Sequence, residues 1–509
     1  MKKYITKYTG GLLVVLAAVS LQSCDKDFVD TNTNPDATSV VIPQYVFTKA
    51  QYDGVARMMP FFMGTMQYTT SYNDVAGFGS KYNAAQTSQT FAAFTNAYPN
   101  EINELGLVIK AVKNDASKIN LLAEARIWRA YCFSRLTDLY GDIPYSQAGL
   151  GYDSSLFKPG YDAQKDIYAS ILSELDQAAQ SLDASKGTYG VADLIYGGAV
   201  DKWKKFAYSL MLRCAMRMTK VDAAAAKTWA QKAIAGGVIT LDADIAKMTY
   251  LADGQNINKN PLALNLWNSD YIAGDGVKNV EGGKYQDVFI NYLKGTSDPR
   301  LPVISVVWNG GVADTSVGIQ KGMASTWQNK TPPDFGTYSE PNPKTVLPRN
   351  SPFLVFTAAE SYFLLAEATL RGWYSGATAS SLYQSGVQSA LRQWSLFGGT
   401  IPQAAIDNYT NATVSAFIGA GTFDAQMNVI YTQFWVSVFP DAQEVFASYR
   451  RTGYPALVPN NYPGNATGGK IFRRMLYPIS EQTLNADSYN VAVSRQGAND
   501  LLTRIWWDK

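Results

Sequence analysis

Residues 124–148 read EARIWRAYCFSRLTDLYGDIPYSQA, and with the residues just before them they predict a buried helix ending in a rigid turn. Ile119, Leu122, Ala123, Ile127, Ala130 and Tyr131 lie at offsets of 3, 4, 8, 11 and 12, the period of one apolar helix face. Arg126, Arg129 and Arg135 fall off that stripe. Gly141 follows the last helical residues and Pro144 forbids continuation, so the chain must turn at Gly-Asp-Ile-Pro. Comparable helices recur downstream, which makes this one the first member of a scaffold.

Working outward, a chain of 509 residues can bury a large core. A net charge of +2 with 17% charged residues offers no basic stripe, so nucleic acid is excluded as a partner. Thirty-two Tyr and 11 Trp give an aromatic-rich, charge-poor composition suited to stacking on neutral ligands as well as to filling cores. There is no histidine, which removes a Ser-His-Asp triad, a Cys-His pair and the His-based zinc and iron sites together. No cofactor is expected.

Lys2, Lys3 and Lys7 precede an apolar run from Leu12 to Leu21, too short for a membrane span but matched to a secretory signal. Leu21-Gln22-Ser23-Cys24 resembles the bacterial lipobox, which implies cleavage after residue 23 and acylation of Cys24. Two or more acyl chains would hold the protein stably on a membrane. Residues 24–41, polar and rich in Asn, Asp and Thr after the cysteine, read as the lipidated start and a flexible tether. Cys132 and Cys214 lie inside apolar helical stretches, where buried free thiols are favoured over a pair.

The body is expected over residues 42–509 as a single domain. Residues 43–66 suggest one helix, 67–85 a tyrosine-bearing loop, and 101–113 a further helix. Four helix pairs follow: 119–140 with 163–182, 201–219 with 222–235, 355–371 with 379–396, and 426–438 with 442–451. Tyr362, Leu365 and Ala366 keep the spacing of a tetratricopeptide first helix, and Ala379 with Tyr383 that of a second. The predicted fold is therefore mainly α, with tetratricopeptide-like pairs over about 101–237 and 353–452 forming a superhelical scaffold. Between them, about 238–350 is rich in Gly, Pro, Asn and Asp and reads as a loop-rich insertion, with one short strand or hairpin near 302–308. The end, 453–509, is again loop-rich.

Three stretches stand out together: Asn32-Thr33-Asn34-Pro35-Asp36, Asp138-Leu139-Tyr140-Gly141-Asp142-Ile143-Pro144-Tyr145, and Trp203-Lys204-Lys205-Phe206-Ala207 with Arg213 and Arg217. In them the chain resembles the SusD/RagB family of nutrient-binding outer-membrane lipoproteins, in the branch with an Asn-Pro-Asp start. The likeness continues through Asp298-Pro299-Arg300-Leu301, Ala358 to Ala368, Tyr449-Arg450-Arg451-Thr452-Gly453-Tyr454-Pro455 and Arg473-Arg474. Departures fall at Ala199, Tyr208 and Phe446, in scaffold helices or their caps. The resemblance implies a lipid-anchored, non-catalytic surface protein that captures a glycan on its loop-rich face and hands it to a SusC-like, TonB-dependent transporter. Within the same family a peptide is the alternative ligand. A surface glycoside hydrolase and a ligand-free protein-interaction platform are the readings from other classes.

A neutral sugar needs aromatic planes beside Asn, Asp or Gln. That mixture occurs in 68–82 and 267–271, and more weakly in 327–338; the residues nominated as ligand contacts are Tyr72, Asn73, Trp267, Asn268 and Tyr271. Glu360 and Glu367, seven apart on one helix face, are expected as partners of arginines, not as a catalytic pair. Arg450-Arg451 and Arg473-Arg474 are expected to tie helix ends to loops. Asp74, Asp270 and Asp275 lack calcium-loop spacing, so no metal site is predicted.

Overall fold

A computed structural model describes residues 41–55, 59–73, 79–151, 155–266, 283–458 and 460–509. Cys24, Asp74, Asp270, Asp275 and three of the nominated contacts, Trp267, Asn268 and Tyr271, lie outside the described residues. Where the sequence suggested one helix there are two, α1 (Pro43–Asp53) and α2 (Met59–Thr65). α1 ends at a close approach of the long buried helix: the Trp128 indole N–H donates to the Ala50 carbonyl at 2.9 Å, beside the bond that carbonyl accepts from the Gly54 amide at 3.1 Å. A Cβ on Gly54 would lie 2.9 Å from the Cys132 sulfur, so only glycine passes there. A three-residue strand, β1 (Thr69–Ser71), follows in the predicted loop. The helix expected over 101–113 is α3 (Asn103–Val112), entered through a wide turn at Tyr98–Ile102.

α4 (Ile119–Tyr140) is the helix quoted at the outset, and 18 of its 22 residues are buried. It therefore sits inside the molecule on nearly all sides, not along one stripe. Trp128 and Phe133, off the stripe, are fully buried, whereas Ile119 and Leu122 on it are half-buried. α4 packs on α5 (Gln164–Ser181), and α6 (Val200–Arg217) packs on both α5 and α7 (Ala223–Gly236). Asp222 caps α7 by accepting from the Ala225 amide.

The insertion carries small antiparallel sheets. β2 (Ala246–Met248) pairs with β7 (Phe353–Phe356), joining the two ends of the insertion. β3 (Gly283–Tyr285) pairs with β1, in the register Thr69 to Tyr285. β4 (Ser305–Asn309) lies between β5 (Val312–Asp314) and β6 (Glu340–Pro341), so the predicted strand near 302–308 is present as a hairpin with a third strand added. A helix the sequence reading omitted, α8 (Asp287–Gly295), follows β3.

The second half of the scaffold begins with α9 (Ala358–Leu370) and α10 (Ala379–Arg392), packed on each other as predicted. Thr357 and Thr378 cap them, each accepting from a backbone amide three residues on. Next comes α11 (Gln403–Ala420), absent from the sequence reading and placed between α10 and α12 (Phe423–Val438). Ile406, Tyr409, Thr410 and Phe417 are its only residues recorded as buried, so its apolar signal is sparse and its Thr, Asn, Val and Gly content is weak for a helix. α13 (Ala442–Thr452) packs on α12 and also on α4 and α2. Gly453, at φ +84°, ends it in the left-handed region. The terminal segment includes two unpredicted helices, α14 (Ile479–Leu484) and α15 (Ala486–Gln496).

Buried ion pairs join the scaffold helices across long stretches of chain. Arg135 on α4 holds Asp441 at 2.8 Å, and Arg213 on α6 holds Glu360 on α9 through bonds of 2.6 and 2.7 Å. Arg217 donates to Glu444 on α13, and Arg451 on α13 meets Glu367 on α9 with two bonds of 2.8 and 2.7 Å. The Tyr431 hydroxyl also donates to Glu367. Fork-to-carboxylate pairing of this kind keeps a buried charge satisfied. The Trp507 indole donates to Asp138 at 2.9 Å, bringing the last residues onto α4. Cys132 and Cys214 are both buried, and no disulfide joins them to each other.

Candidate functional site

β1, β3 and the β4 to β6 sheet bring together two segments that the sequence separates by about 250 positions, 68–73 and 327–338. The backbone tie is direct: the Asn329 amide donates to the Tyr72 carbonyl at 2.9 Å. The Lys81 ammonium donates to the same carbonyl at 3.2 Å and to that of Trp327, while lying 4.6 Å from the centre of the Tyr462 ring. Tyr72 and Phe335 meet edge to face, with centroids 5.2 Å apart and planes at 82°. Both rings are half-buried, as are Trp308 and Trp327, so each keeps part of its face in solvent.

Beneath the rings is a buried charge pair. Lys284 on β3 donates to Glu340 on β6 at 2.5 Å, with side chains 2% and 0% exposed. The Lys284 ammonium also lies 4.2 Å from the Phe335 ring centre, and the Trp308 indole donates to the other Glu340 oxygen at 3.0 Å. Burial pushes the Lys284 pKa below its ordinary value, opposed by Glu340. The pair fixes Phe335 and Trp308 from below, so the rings above it need little ordering when a ligand arrives.

Of the nominated contacts, Tyr72 and Asn73 therefore stand on this face, the Asn73 amide donating to the Ser71 hydroxyl at 2.9 Å. Phe335, Trp308, Lys284 and Glu340 were missed. The composition of 327–338 was a usable signal for Phe335; nothing local marked the Lys284–Glu340 pair, which exists only once the strands align. Glu360 and Glu367 are in the core, 2% and 0% exposed, each held by an arginine as expected. Arg451 and Arg473 likewise pair with Glu367 and Asp508, and Arg450 donates to the backbone carbonyls of Asp138 and Arg473. No group of metal-ligating side chains occurs among the described residues. A separate cleft of about 480 Å³ opens beside α1, walled by Tyr45, Tyr52 and Tyr250 with Leu251 and Ile257 exposed at its edge.

Wound helix pairs presenting a loop-built face of half-buried rings define a helical-repeat binding scaffold. Residues 35–478 match the SusD-like family described as starch-binding and associating with the outer membrane, and the chain belongs to that family. Among solved structures it is similar to a chitin-binding protein, at 30% identity and a TM-score of 0.78, covering 92% of this chain and 100% of the other. It is similar to a SusD-like protein of Bacteroidetes AC2a at 25% identity, TM-score 0.80, with 92% and 100% covered. A SusD homologue from Bacteroides uniformis aligns at 26% identity, TM-score 0.74, over 92% and 99% of the two chains. No curated protein sequence matches. The chain is thus a mainly helical, SusD-like nutrient-binding protein of a family associated with the outer membrane.

Proposed function

We propose that the chain is a lipid-anchored, non-catalytic receptor that captures a glycan on the face around Tyr72 and passes it to a SusC-like, TonB-dependent transporter in the outer membrane. Residues 1–23 act as the export signal, 24–41 as the acylated tether through Cys24, and 42–509 as one ligand-binding body. The observation that carries the glycan reading is the likeness at 30% identity, along the whole length of the other chain, to a chitin-binding protein. It is supported by the family's starch-binding description and by the ring-bearing face of Tyr72, Phe335, Trp308 and Trp327. Asn73, Trp267, Asn268 and Tyr271 are proposed to complete that face. The non-catalytic reading is supported by Glu360 and Glu367 being committed to arginines, since a glycosidase needs two free carboxyl groups about 5 to 9.5 Å apart across a cleft.

The test is binding of residues 25–509 to chitin oligosaccharides, starch, other polysaccharides and oligopeptides, with ligand length followed over hours. One polymer is expected to be retained intact, with affinity reduced about tenfold or more by Tyr72→Ala, the scale of one lost ring contact. Shortening of the polymer overturns the non-catalytic reading. Retention of peptides alone overturns the glycan reading, and a loss caused by Tyr45→Ala but not by Tyr72→Ala moves the site to the cleft beside α1. The anchor is tested separately: Cys24→Ala is expected to shift the protein from the membrane fraction to the soluble one, and unchanged partition overturns acylation at that residue.

A further inference from the structure

Two clefts on the C-terminal side of the fold share one wall, the side chain of Arg504. The first, about 280 Å³, is lined by Lys165, Arg495, Arg504 and the half-buried Trp506, with Asp142 as the carboxylate beside Arg495 at 2.6 Å. The second, about 360 Å³, is lined by Lys470, Arg473, Arg504 and Tyr449, and its lining contains no acid.

The charges are positioned from behind. Asp508 is fully buried and accepts from Arg473 Nε at 2.6 Å and from Arg504 Nη1 at 3.0 Å. One carboxylate thus orients two guanidinium groups and leaves the pair with a net positive charge. Arg473 spends Nε and Nη2 on Asp508, and Nη2 also on the Arg450 carbonyl at 2.9 Å, with its side chain 16% exposed; that of Arg504 is 51% exposed. Lys165 and Lys470 are exposed and pair with no carboxylate among the described residues. Lys220 stands in the field of the same cluster; burial, and then the charges of Arg451, Arg473 and Arg504 against that of Asp508, lower its pKa. In a chain whose net charge is only +2, this is a local excess of cations around built concavities.

We propose that the paired clefts at Arg504 bind an acidic glycan, the carboxylate or sulfate groups of neighbouring sugars lying against Lys470, Arg473 and Arg504 on one side and Lys165 and Arg495 on the other. Forked guanidinium donors match the geometry of such oxyanions, and Trp506 and Tyr449 supply one ring to each cleft for the apolar face of a sugar. The proposal does not depend on the Tyr72 face, none of whose residues lines either cleft.

The experiment titrates residues 25–509 with polygalacturonate and dextran sulfate as probes, amylose as the neutral control, and phosphatidylglycerol-containing vesicles as the lipid arm. Expected are binding of an acidic polymer that weakens as salt rises, and a loss of about tenfold or more in the Lys165→Glu/Lys470→Glu double variant. Both lysines are exposed and pair with no acid among the described residues, so the thermal midpoint of that variant should match the parent. Arg504→Gln, which keeps a neutral donor near Asp508, is expected to weaken the same binding, and Tyr72→Ala to leave it unchanged. No binding of either acidic polymer at low salt overturns the proposal. So does binding indifferent to the charge reversals, or binding of vesicles without either polymer.

Discussion

Replacing Glu367 by Gln lowers the stability of the folded chain by about 3–5 kcal/mol, the range for breaking a buried ion pair from one side. Glu367 is fully buried, receives two bonds from Arg451, a third from Arg371 at 2.8 Å and the Tyr431 hydroxyl, and joins α9 to α13. Removing its charge strands the Arg451 guanidinium, itself 1% exposed, without a counter-ion. Burial alone would raise the Glu367 pKa; Arg451 first, then Arg371 and Tyr431, outweigh it and hold the carboxyl at about 2. Because the unfolded carboxyl titrates near 4.3, the stabilisation is fully present above that pH and is lost as pH falls toward 2. Urea melts of parent and Glu367→Gln at pH 7 and pH 3 check both statements. Equal midpoints at pH 7, or a difference that does not shrink at pH 3, would contradict them.

Glu124 predicts the opposite dependence. It lies on α4 at zero exposure, and neither carboxylate oxygen has a hydrogen-bond partner among the described residues. Burial, and then the negative charge of Asp193, push its pKa up to about 9. Asp193 accepts from the Trp203 indole at 2.7 Å and the Gln51 amide at 2.7 Å, so its own donors are already committed to it. Between roughly pH 4.3 and 9 the native state keeps a proton that the unfolded chain releases, and stability falls by about 1.4 kcal/mol for each pH unit across that window. Glu124→Gln, of nearly the same shape and never ionised, removes this slope. The variant is expected to melt close to the parent at pH 4 and well above it at pH 8. Parallel pH profiles would show that Glu124 is ionised, and paired, in the native state.

The residues that made the fold legible are the ones that build its charged core. Asp138, Arg213, Arg217, Arg300, Glu360, Glu367 and Arg451 belong to the sequence stretches that carried the family resemblance, and every one of them is buried in the structure. Helix pairs with regular apolar spacing, such as α9 with α10, were readable because burial imposes a period on sequence. α11 was not, because little of its surface is buried. The ligand face was half legible for a related reason. Tyr72 and Asn73 stand out by residue type and the composition of 327–338 points to Phe335, but Trp308 and the Lys284–Glu340 pair are brought there by strand pairing, which leaves no local mark.

The bond from Trp507 to Asp138 places the chain's final residues in contact with a helix completed some 370 residues earlier. Asp508, fully buried against Arg473, reinforces that closure. A chain emerging from its N-terminus can wind α4 early, but Asp138 and the arginines around it lack their last partners until residues 507 and 508 arrive. Closing α4 with residues 507 and 508 is a contact of long sequence separation, the kind whose loop-closure entropy is expected to slow folding.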